Sequence, residues 1–431
     1  MCRGQLERRW RARVRDLRIR QGIWRYSRAA HSNDARQGWK LHVSATLFSA
    51  GDVYARVSRI LREHGALFKV PSELGFLAEL NSGAGGYSQI GKFLTVYTGS
   101  SDEASILAAK LHAATRGLIA PKIPFDARYR YNSLVYYRYG AFAPGVDGKR
   151  SYILDSKGKR HLDRCGPGRA VPHWAKDPFR SHQRVRSRKS CGPIGLEYLV
   201  RKALAQRGKG GVFEALDLSV FPIRLVVVKQ GRRHGDTDWN GEDGAARVKG
   251  EGGILRRLRA AGIPVPEVFR MFGQEGNQYL VLEKLLGQAL VPRRGEHPSR
   301  PSWRQAWRIL DEITPLLCKL HATGWVWRDC KPSHIFRHRG TLRLIDFEGA
   351  CRIDETDRLP WGSPNYVPLI YHGEFSRRAG TLEDDYALGV IAFQFMCGEF
   401  PPRNSRRRSA FYRRAGCPAS LRAQIEDLLR Y

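Results

Sequence analysis

Hydrophobic positions change period several times along this chain. Near the start, Leu6, Trp10, Val14 and Leu17 recur at helical spacing among ten arginines within residues 1–30, which predicts a basic amphipathic helix. From Lys40 the texture turns to short elements. Apolar Leu41, Val43 and Ala45 alternate with His42 and Ser44 as in a strand, residues 52–64 read as a helix closed by Gly65, and residues 66–70 return to strand before Pro71. A glycine-rich turn follows at 81–86, then a strand at 93–97, a helix at 102–114 with Gly117 past its end, and a strand at 134–139. Residues 144–192 are rich in Gly, Pro, Ser, Lys and Arg with little periodicity, and predict a linker or a loosely structured extension. Beyond 193 longer elements resume: Leu225-Val226-Val227-Val228 forms a buried-strand run ending in Lys229, Tyr279-Leu280-Val281-Leu282-Glu283 reads as another strand, and residues 309–321 as a buried helix despite Pro315. No repeat occurs at solenoid periods.

Four segments result: a basic arm at 1–30, a small α/β module at 31–143, the linker or extension at 144–192, and a larger module at 193–431. The length and 42% hydrophobic residues, ten of them Trp, are enough for separate cores and exclude general disorder. Charge changes the picture most: 74 Lys plus Arg against 41 Asp plus Glu give +33, a field that attracts acidic peptides, phosphates and nucleic acids alike. The arm could bind an acidic peptide, RNA or a membrane surface, or simply dock by its apolar stripe. No nucleic-acid recognition spacing accompanies the charge, so a nucleic-acid partner is not expected. The eight cysteines (Cys2, Cys165, Cys191, Cys318, Cys330, Cys351, Cys397, Cys417) show no zinc spacing and read as reduced thiols. No apolar run is long enough for a transmembrane helix and the start lacks a secretory core, so a cytoplasmic location is expected.

Two strings carry the chemistry of the second module: Trp327-Arg328-Asp329-Cys330-Lys331-Pro332-Ser333-His334 and Ile345-Asp346-Phe347-Glu348-Gly349. They resemble the catalytic and metal-binding loops of protein kinases, and other parts of that family stand in the usual order. Gly208, Gly210 and Gly211 resemble the phosphate-covering loop, Lys229 the lysine that holds the α and β phosphates, and Glu251 its ion-pair partner. Glu283 ends the strand leading to the adenine hinge, and Asp385-Tyr386-Ala387-Leu388-Gly389 resembles the start of the helix that anchors the catalytic loop. The resemblance implies a bilobal fold, with lobes at 193–284 and 285–431, that uses ATP or another nucleoside triphosphate and Mg2+. Asp329 would orient the substrate hydroxyl, Lys331 would balance charge on the γ-phosphate, and Asp346 with His334 would be the metal positions. Three residues depart from the pattern: Trp327 for His, Glu348 for Gly, and His334 for the metal-binding Asn. Imidazole is a softer ligand than an amide oxygen, and magnesium prefers oxygen.

The first module resembles the amino-terminal lyase domain of class III lanthipeptide synthetases, itself similar to effector phosphothreonine lyases. The matching text is Lys40-Leu41-His42-Val43-Ser44, Phe68-Lys69-Val70, Asn81-Ser82-Gly83, the run from Gly86 to Phe93, and Ser133-Leu134-Val135-Tyr136-Tyr137-Arg138-Tyr139-Gly140. In that family a kinase domain phosphorylates Ser or Thr of a precursor peptide and the lyase eliminates phosphate. Such a step needs a base for a weakly acidic α-proton, which a lysine of lowered pKa can be, together with cations and a proton donor for the departing phosphate. By the resemblance Lys69 is the base and His42 the acid, with Lys40, Lys92 and Arg138 holding phosphate and no cofactor for the lyase step. An α+β protein results, a phospholyase-like domain followed by a protein-kinase-like fold, acting on a peptide with an acidic leader. A full synthetase continues into a cyclase, and the chain stops at Tyr431, so cyclisation is expected to be absent or supplied by another chain. Rival expectations are a pseudokinase scaffold that only grips phosphopeptide, and a stand-alone Ser/Thr kinase.

Overall fold

The computed structural model describes residues 3–142, 151–179, 194–290, 301–355, 359–368 and 380–430. Cys2, Cys191 and the outer parts of the predicted linker (144–150 and 180–192) lie outside them. The chain divides into two compact units, one of residues 1–213 with 230–246 and 273–278, the other of 214–229 with 247–272 and 279–431.

The first unit is built on an antiparallel sheet of seven strands: β1 (Ile19–Gln21), β2 (Trp24–Tyr26), β3 (Gln37–Val43), β4 (Leu67–Pro71), β5 (Leu94–Tyr97), β6 (Ala127–Arg128) and β7 (Val135–Ala141). Their order is β1-β2-β4-β5-β3-β7-β6. Alternation gives the sheet two unlike faces. Leu41, Val43, Phe68, Val70, Leu94, Val96 and Tyr137 enter one buried core together with the apolar stripes of α1 (Arg3–Arg13), α2 (Ala50–Glu63), α3 (Leu74–Ser82) and α4 (Ser101–Ala114). Their sequence neighbours Lys40, His42, Lys69, Thr95, Tyr136 and Arg138 turn to the other face. The register sets them in rows: Lys69 opposite Thr95, Thr95 opposite His42, His42 opposite Tyr136, and Lys40 opposite Arg138.

The structure bears on two segments for which the sequence left alternatives. The basic arm does not stand apart but docks by its apolar stripe: Leu6, Trp10, Val14 and Leu17 are buried in this core, and strands β1 and β2 belong to the sheet. Trp10 Nε1 donates to the carbonyl of Pro71 at 3.1 Å, and the Glu7 carboxylate accepts the amides of Leu74 and Gly75 at 3.0 and 2.7 Å, capping the start of α3. Nor are residues 151–179 loosely structured. They form a hairpin, β8 (Tyr152–Leu154) with β9 (Arg160–Leu162), and Phe179 is wholly buried, its ring 4.0 Å from that of Tyr137 and 5.5 Å from Trp39. A few anchors hold this stretch without any periodic stripe. The hairpin of β10 (Tyr198–Gln206) and β11 (Gly210–Asp217) begins in the same unit.

In the second unit the remainder of β11, β12 (Arg224–Gly231), β14 (Asn277–Glu283) and β13 (Val268–Gln274) lie in that sheet order, with α5 (Gly244–Ala260) supplying Leu255 and Leu258 to the core. The helical part holds α6 (Trp303–Ala322), α7 (Leu382–Cys397), α8 (Ser405–Arg414) and α9 (Ala419–Leu428). Short strands β15 (Gln288–Ala289), β16 (Trp325–Val326), β17 (Ile335–His338), β18 (Thr341–Leu344) and β19 (Cys351–Arg352) frame its loops. Helix α6 starts where the Ser302 hydroxyl accepts the Gln305 amide, and it continues through Pro315 because Ile309, Ile313, Leu317 and Leu320 bury one face on both sides of it. The chain is thus a mixed helix-and-sheet protein, its first unit built on one antiparallel sheet and its second combining a sheet-rich part with a helical carboxy-terminal part.

Candidate active sites

In the first unit the polar face of the sheet gathers cations. Lys40 and His42 lie two residues apart on β3 and so project together, with Arg138 beside them on β7 and Lys69 two strands away on β4. Strands spaced by about 4.8 Å put the Lys69 and His42 backbones about 10 Å apart with only Thr95 between them, room for one extended residue of a peptide. Lys92 comes from the loop before β5 and is buried. The sequence-predicted residues Lys40, His42, Lys69, Lys92 and Arg138 therefore stand in one site.

Two carboxylates that sequence reasoning missed complete it. Asp126 is fully buried, 2.6 Å from His42 Nδ1 through one oxygen and 3.3 Å from Lys92 Nζ through the other. Asp163, from the β9 end of the hairpin extension, is paired with the Arg138 guanidinium and accepts the Ala141 amide at 3.0 Å. Neither lies near its partner in sequence, so no local spacing could reveal it.

Electrostatics separate the roles of these groups. Burial, with Lys92 nearby, lowers Lys69 to about 8, although its ammonium lies 4.3 Å from the centre of the Trp24 ring, a contact that favours the charged form. The indole and the rings of Tyr26 and Tyr97 exclude water, and that loss of solvation outweighs the ring attraction. Burial and the Arg138 charge bring Lys40 to about 7 against the pull of Asp163. Burial pushes His42 down to about 3 even with Asp126 beside it. Asp126 resists its own burial because His42, Lys92 and Arg138 hold it as a carboxylate. At neutral pH His42 Nδ1–H therefore donates to Asp126 and Nε2 is left open. A dianionic phosphate among these cations would raise the pKa of Lys40 and His42 and make the imidazole a proton donor.

The second unit assembles the other set. Lys229 Nζ donates to both oxygens of Glu251 at 2.7 and 2.9 Å and to Asp346 Oδ1 at 2.8 Å. Although it is buried, Asp346 and Glu251 overcome desolvation and hold it as an ammonium. Glu251 also accepts the Phe347 amide at 3.1 Å, so one carboxylate ties α5 to the loop that carries Asp346. Asp329 Oδ2 meets Lys331 Nζ at 3.0 Å, and Ser363 Oγ donates to Asp329 Oδ1 at 2.8 Å and receives a bond from Lys331. Ser363 is a further residue of this cluster absent from the motif strings.

His334 faces both acids: Nδ1 is 3.0 Å from the Asp329 carbonyl and 3.4 Å from its carboxylate, and Nε2 is 3.4 Å from Asp346 Oδ2. Burial lowers its pKa against the attraction of Asp346 and Asp329, favouring the neutral ring. Asp329, His334 and Asp346 form the group of side chains, among the described residues, that could hold a metal ion. Trp327, at the departed His position, packs its indole on Phe347 at 5.4 Å and 16° and donates to the Ile345 and Asp346 carbonyls. It thereby fixes the metal-side loop by packing and hydrogen bonds. Arg328 and Asp346 adopt left-handed backbone, φ 70° and 64°, a conformation costing about 1–3 kcal/mol for such residues and typical of functional loops.

The anchor under this loop is Asp384, one residue before the predicted start of the motif. Its carboxylate accepts the amides of Trp327 and Arg328 at 2.8 and 2.7 Å and meets His321 Nε2 at 2.9 Å. Asp385 is held by the Thr381 hydroxyl instead. Glu283 forms a two-point bridge to Arg343 and accepts the Glu267 amide at 3.1 Å, so its side chain braces the strand end. Gly208, Gly210 and Gly211 lie at the β10–β11 turn in the first unit, where close backbone approach accounts for the first two. A Cβ on Gly208 would fall 1.6 Å from the Asn81 carbonyl oxygen, and one on Gly210 1.6 Å from that of Gln230. The Gly208 amide donates to the Ser82 carbonyl at 2.9 Å.

Comparison with known proteins matches both parts of the chain. Residues 4–191 match the family described as RamC, N-terminal domain, and residues 208–426 the protein kinase domain. A probable SapB synthase of Streptomyces coelicolor is 30% identical over 395 residues, 87% of this chain and 41% of that protein. Serine/threonine-protein kinase F of Synechocystis is 32% identical over 162 residues, 35% of this chain and 32% of the relative. A probable serine/threonine-protein kinase PknB of Lactococcus lactis is 26% identical over 210 residues, 47% and 32% of the two chains. The chain thus spans about two fifths or less of the length of these curated relatives. Among the described residues no helix is long and apolar enough to cross a membrane.

Proposed function

Starting from a chain that belongs to the protein-kinase family and carries a RamC-type amino-terminal domain, we propose that it dehydrates Ser or Thr in a peptide by phosphorylation followed by elimination of phosphate. The observation that carries this reading is the single sheet face bearing Lys69, His42, Lys40 and Arg138, with a lysine near 8 at one end and an imidazole–carboxylate pair two strands away. A surface patch would not bury these groups.

In the first step Asp329 accepts the hydroxyl proton of the peptide residue as its oxygen bonds to the γ-phosphorus and the bond from that phosphorus to the departing nucleoside diphosphate breaks, while Lys331 and Lys229 offset the charge on the phosphates. Nucleotide and divalent metal, when bound, supply the phosphoryl group and neutralise its charge; Asp346 and His334 are the residues that would hold the metal. The 3.4 Å separation of His334 Nε2 and Asp346 Oδ2 fits such an ion. In the second step neutral Lys69 takes the α-proton, the electron pair forms the Cα–Cβ double bond, and the Cβ–O bond breaks. His42 gives its proton to the departing phosphate, which Lys40 and Arg138 hold. Net loss is one water, divided between the two steps.

The basic surface, +33 overall, suits a peptide with an acidic leader. The test is mass spectrometry of a synthetic peptide with an acidic leader and a Ser- and Thr-containing core, incubated with the full chain, ATP and divalent metal. Stepwise loss of the mass of water supports the reading, and peptide that gains phosphate and keeps it argues for a kinase alone. His334 favours a second reading, a phosphopeptide-gripping pseudokinase, in which neither nucleotide nor metal raises the melting temperature of the second unit.

A further inference from the structure

We propose that Trp24 is a positioning residue of the elimination site: its indole, presented by the amino-terminal strands β1 and β2, shields the Lys69 amine from water and holds it in place without a carboxylate. This rests on the reading of Lys69 as the base, and goes beyond it by naming the residue that makes this lysine serve as one. The register delivers the rings. Tyr26 pairs directly with Lys69 across β2 and β4, so the two side chains leave the same face side by side. Trp24, paired with Pro71, is the diagonal neighbour that a long aromatic side chain can bridge to. Lys69 Nζ accordingly lies 4.3 Å from the centre of the Trp24 ring and 5.9 Å from that of Tyr26, with Tyr97 of β5 at 6.0 Å. Trp24 and Tyr26 are half-buried, the position of a lining between the lysine and solvent.

Backbone bonds bracket β2 on both sides of these rings. Before Trp24, the Ile23 carbonyl accepts the Ser72 amide at 2.8 Å; after Tyr26, the Ser27 amide donates to the Phe68 carbonyl at 2.9 Å, and the Ser27 hydroxyl accepts the Phe68 amide at 3.1 Å. Arg25, on the opposite face, ties β2 back to the arm through the Leu17 carbonyl at 2.9 Å. The indole is therefore fixed relative to β4. The other basic groups of this sheet face are held differently: His42 and Lys92 share Asp126, and Arg138 is paired with Asp163. Among the described residues Lys69 meets no carboxylate within ion-pair distance, and its close partners are the three rings. That difference suits a base. A carboxylate would keep the proton on the amine, whereas a ring face steadies the side chain and excludes water, which favours the neutral form. The charges that face Lys69 from the neighbouring elements are Lys92 and Lys40, both cations that oppose its protonation. Burial raises the Tyr26 and Tyr97 phenols above their ordinary value, so they stay uncharged while Lys69 titrates.

The experiment uses the full chain with a preformed phosphoserine peptide and no nucleotide, and follows kcat at saturating peptide from pH 6 to 10. In Trp24→Ala water reaches the amine, and the midpoint of the profile should rise by about one pH unit or more. At pH 7 kcat then falls about tenfold and is largely regained near pH 10. Trp24→Phe keeps a ring and restores the midpoint. A rate lowered equally at every pH, with the midpoint unmoved, marks a merely structural residue and overturns the proposal, as does an unchanged profile. A second reading needs no Trp24 variant. In the unaltered chain labelled with carbon-13 at lysine Cε, the Lys69 signal, identified by its loss in Lys69→Ala, should have its ε-protons shifted upfield by the ring current of the indole. A Lys69 signal at the ordinary lysine position overturns the proposal whether or not Trp24→Ala folds. Failure of the elimination reading looks different: the phosphoserine peptide then stays intact with the unaltered chain, while the ring-current shift and the titration of Lys69 with and without Trp24 still decide.

Discussion

Asp126 contacts His42 and Lys92 at once, its two oxygens 2.6 Å from His42 Nδ1 and 3.3 Å from Lys92 Nζ, and all three side chains are buried. This carboxylate sets the imidazole tautomer and offsets the charge of one lysine in a site made largely of cations. Replacing Asp126 by Asn keeps the shape and removes the charge. Elimination from a phosphoserine peptide should slow about 10- to 100-fold, with a shifted pH profile, while nucleotide-dependent phosphorylation is unchanged. A purely structural role would instead reduce both activities together with the melting temperature.

Lys69→Ala should leave phosphorylated peptide as the end product, with elimination reduced about 10^2- to 10^4-fold. The base must be neutral, so kcat for elimination at saturating phosphopeptide rises with pH as Lys69, at about 8 in the empty site, loses its proton. Lys40, at about 7, carries its charge below that pH and loses it above in the empty site. The KM for phosphopeptide should therefore climb as pH passes 7. Initial rates with a preformed phosphoserine peptide from pH 6 to 9 separate the two effects.

The two steps are chemically separable because their side chains belong to different units. Lys229→Met removes the ammonium shared by Glu251 and Asp346 and should abolish nucleotide-dependent phosphorylation. Release of phosphate from a preformed phosphoserine peptide should stay within about twofold of the unaltered chain, since additivity holds between sites without shared partners. Malachite green assay of phosphate in the absence of nucleotide reads this directly.

Trp10→Ala opens a cavity in the first core and removes the Nε1 bond to Pro71, and should destabilise that unit by about 3–5 kcal/mol. Near-ultraviolet circular dichroism should show its transition moving to lower temperature. An unchanged transition would mean that the arm is not part of the core.

Much of the second unit was legible in the sequence because its charged residues stand in contiguous strings that resemble the loops of protein kinases. Asp329, Lys331, His334 and Asp346 come together in space as that resemblance implied. The anchor was displaced by one position because Asp384 and Asp385 both begin α7, and only hydrogen-bond direction distinguishes them. In the first unit, alternation on β3 showed that Lys40 and His42 share a face. Asp126 stayed hidden because it lies 84 residues from His42 and is positioned by tertiary packing. The hairpin extension was misread for a related reason: isolated anchors such as Phe179 and Asp163 secure it without a repeating apolar pattern. The stripe of the basic arm was visible, whereas the partner it buries against was not.

The most direct test presents the full chain with a synthetic acidic peptide carrying one phosphoserine, without nucleotide, and follows peptide mass and free phosphate together. The account predicts phosphate release with formation of dehydroalanine, lost in Lys69→Ala. Intact phosphopeptide, or release that regenerates serine, would contradict it.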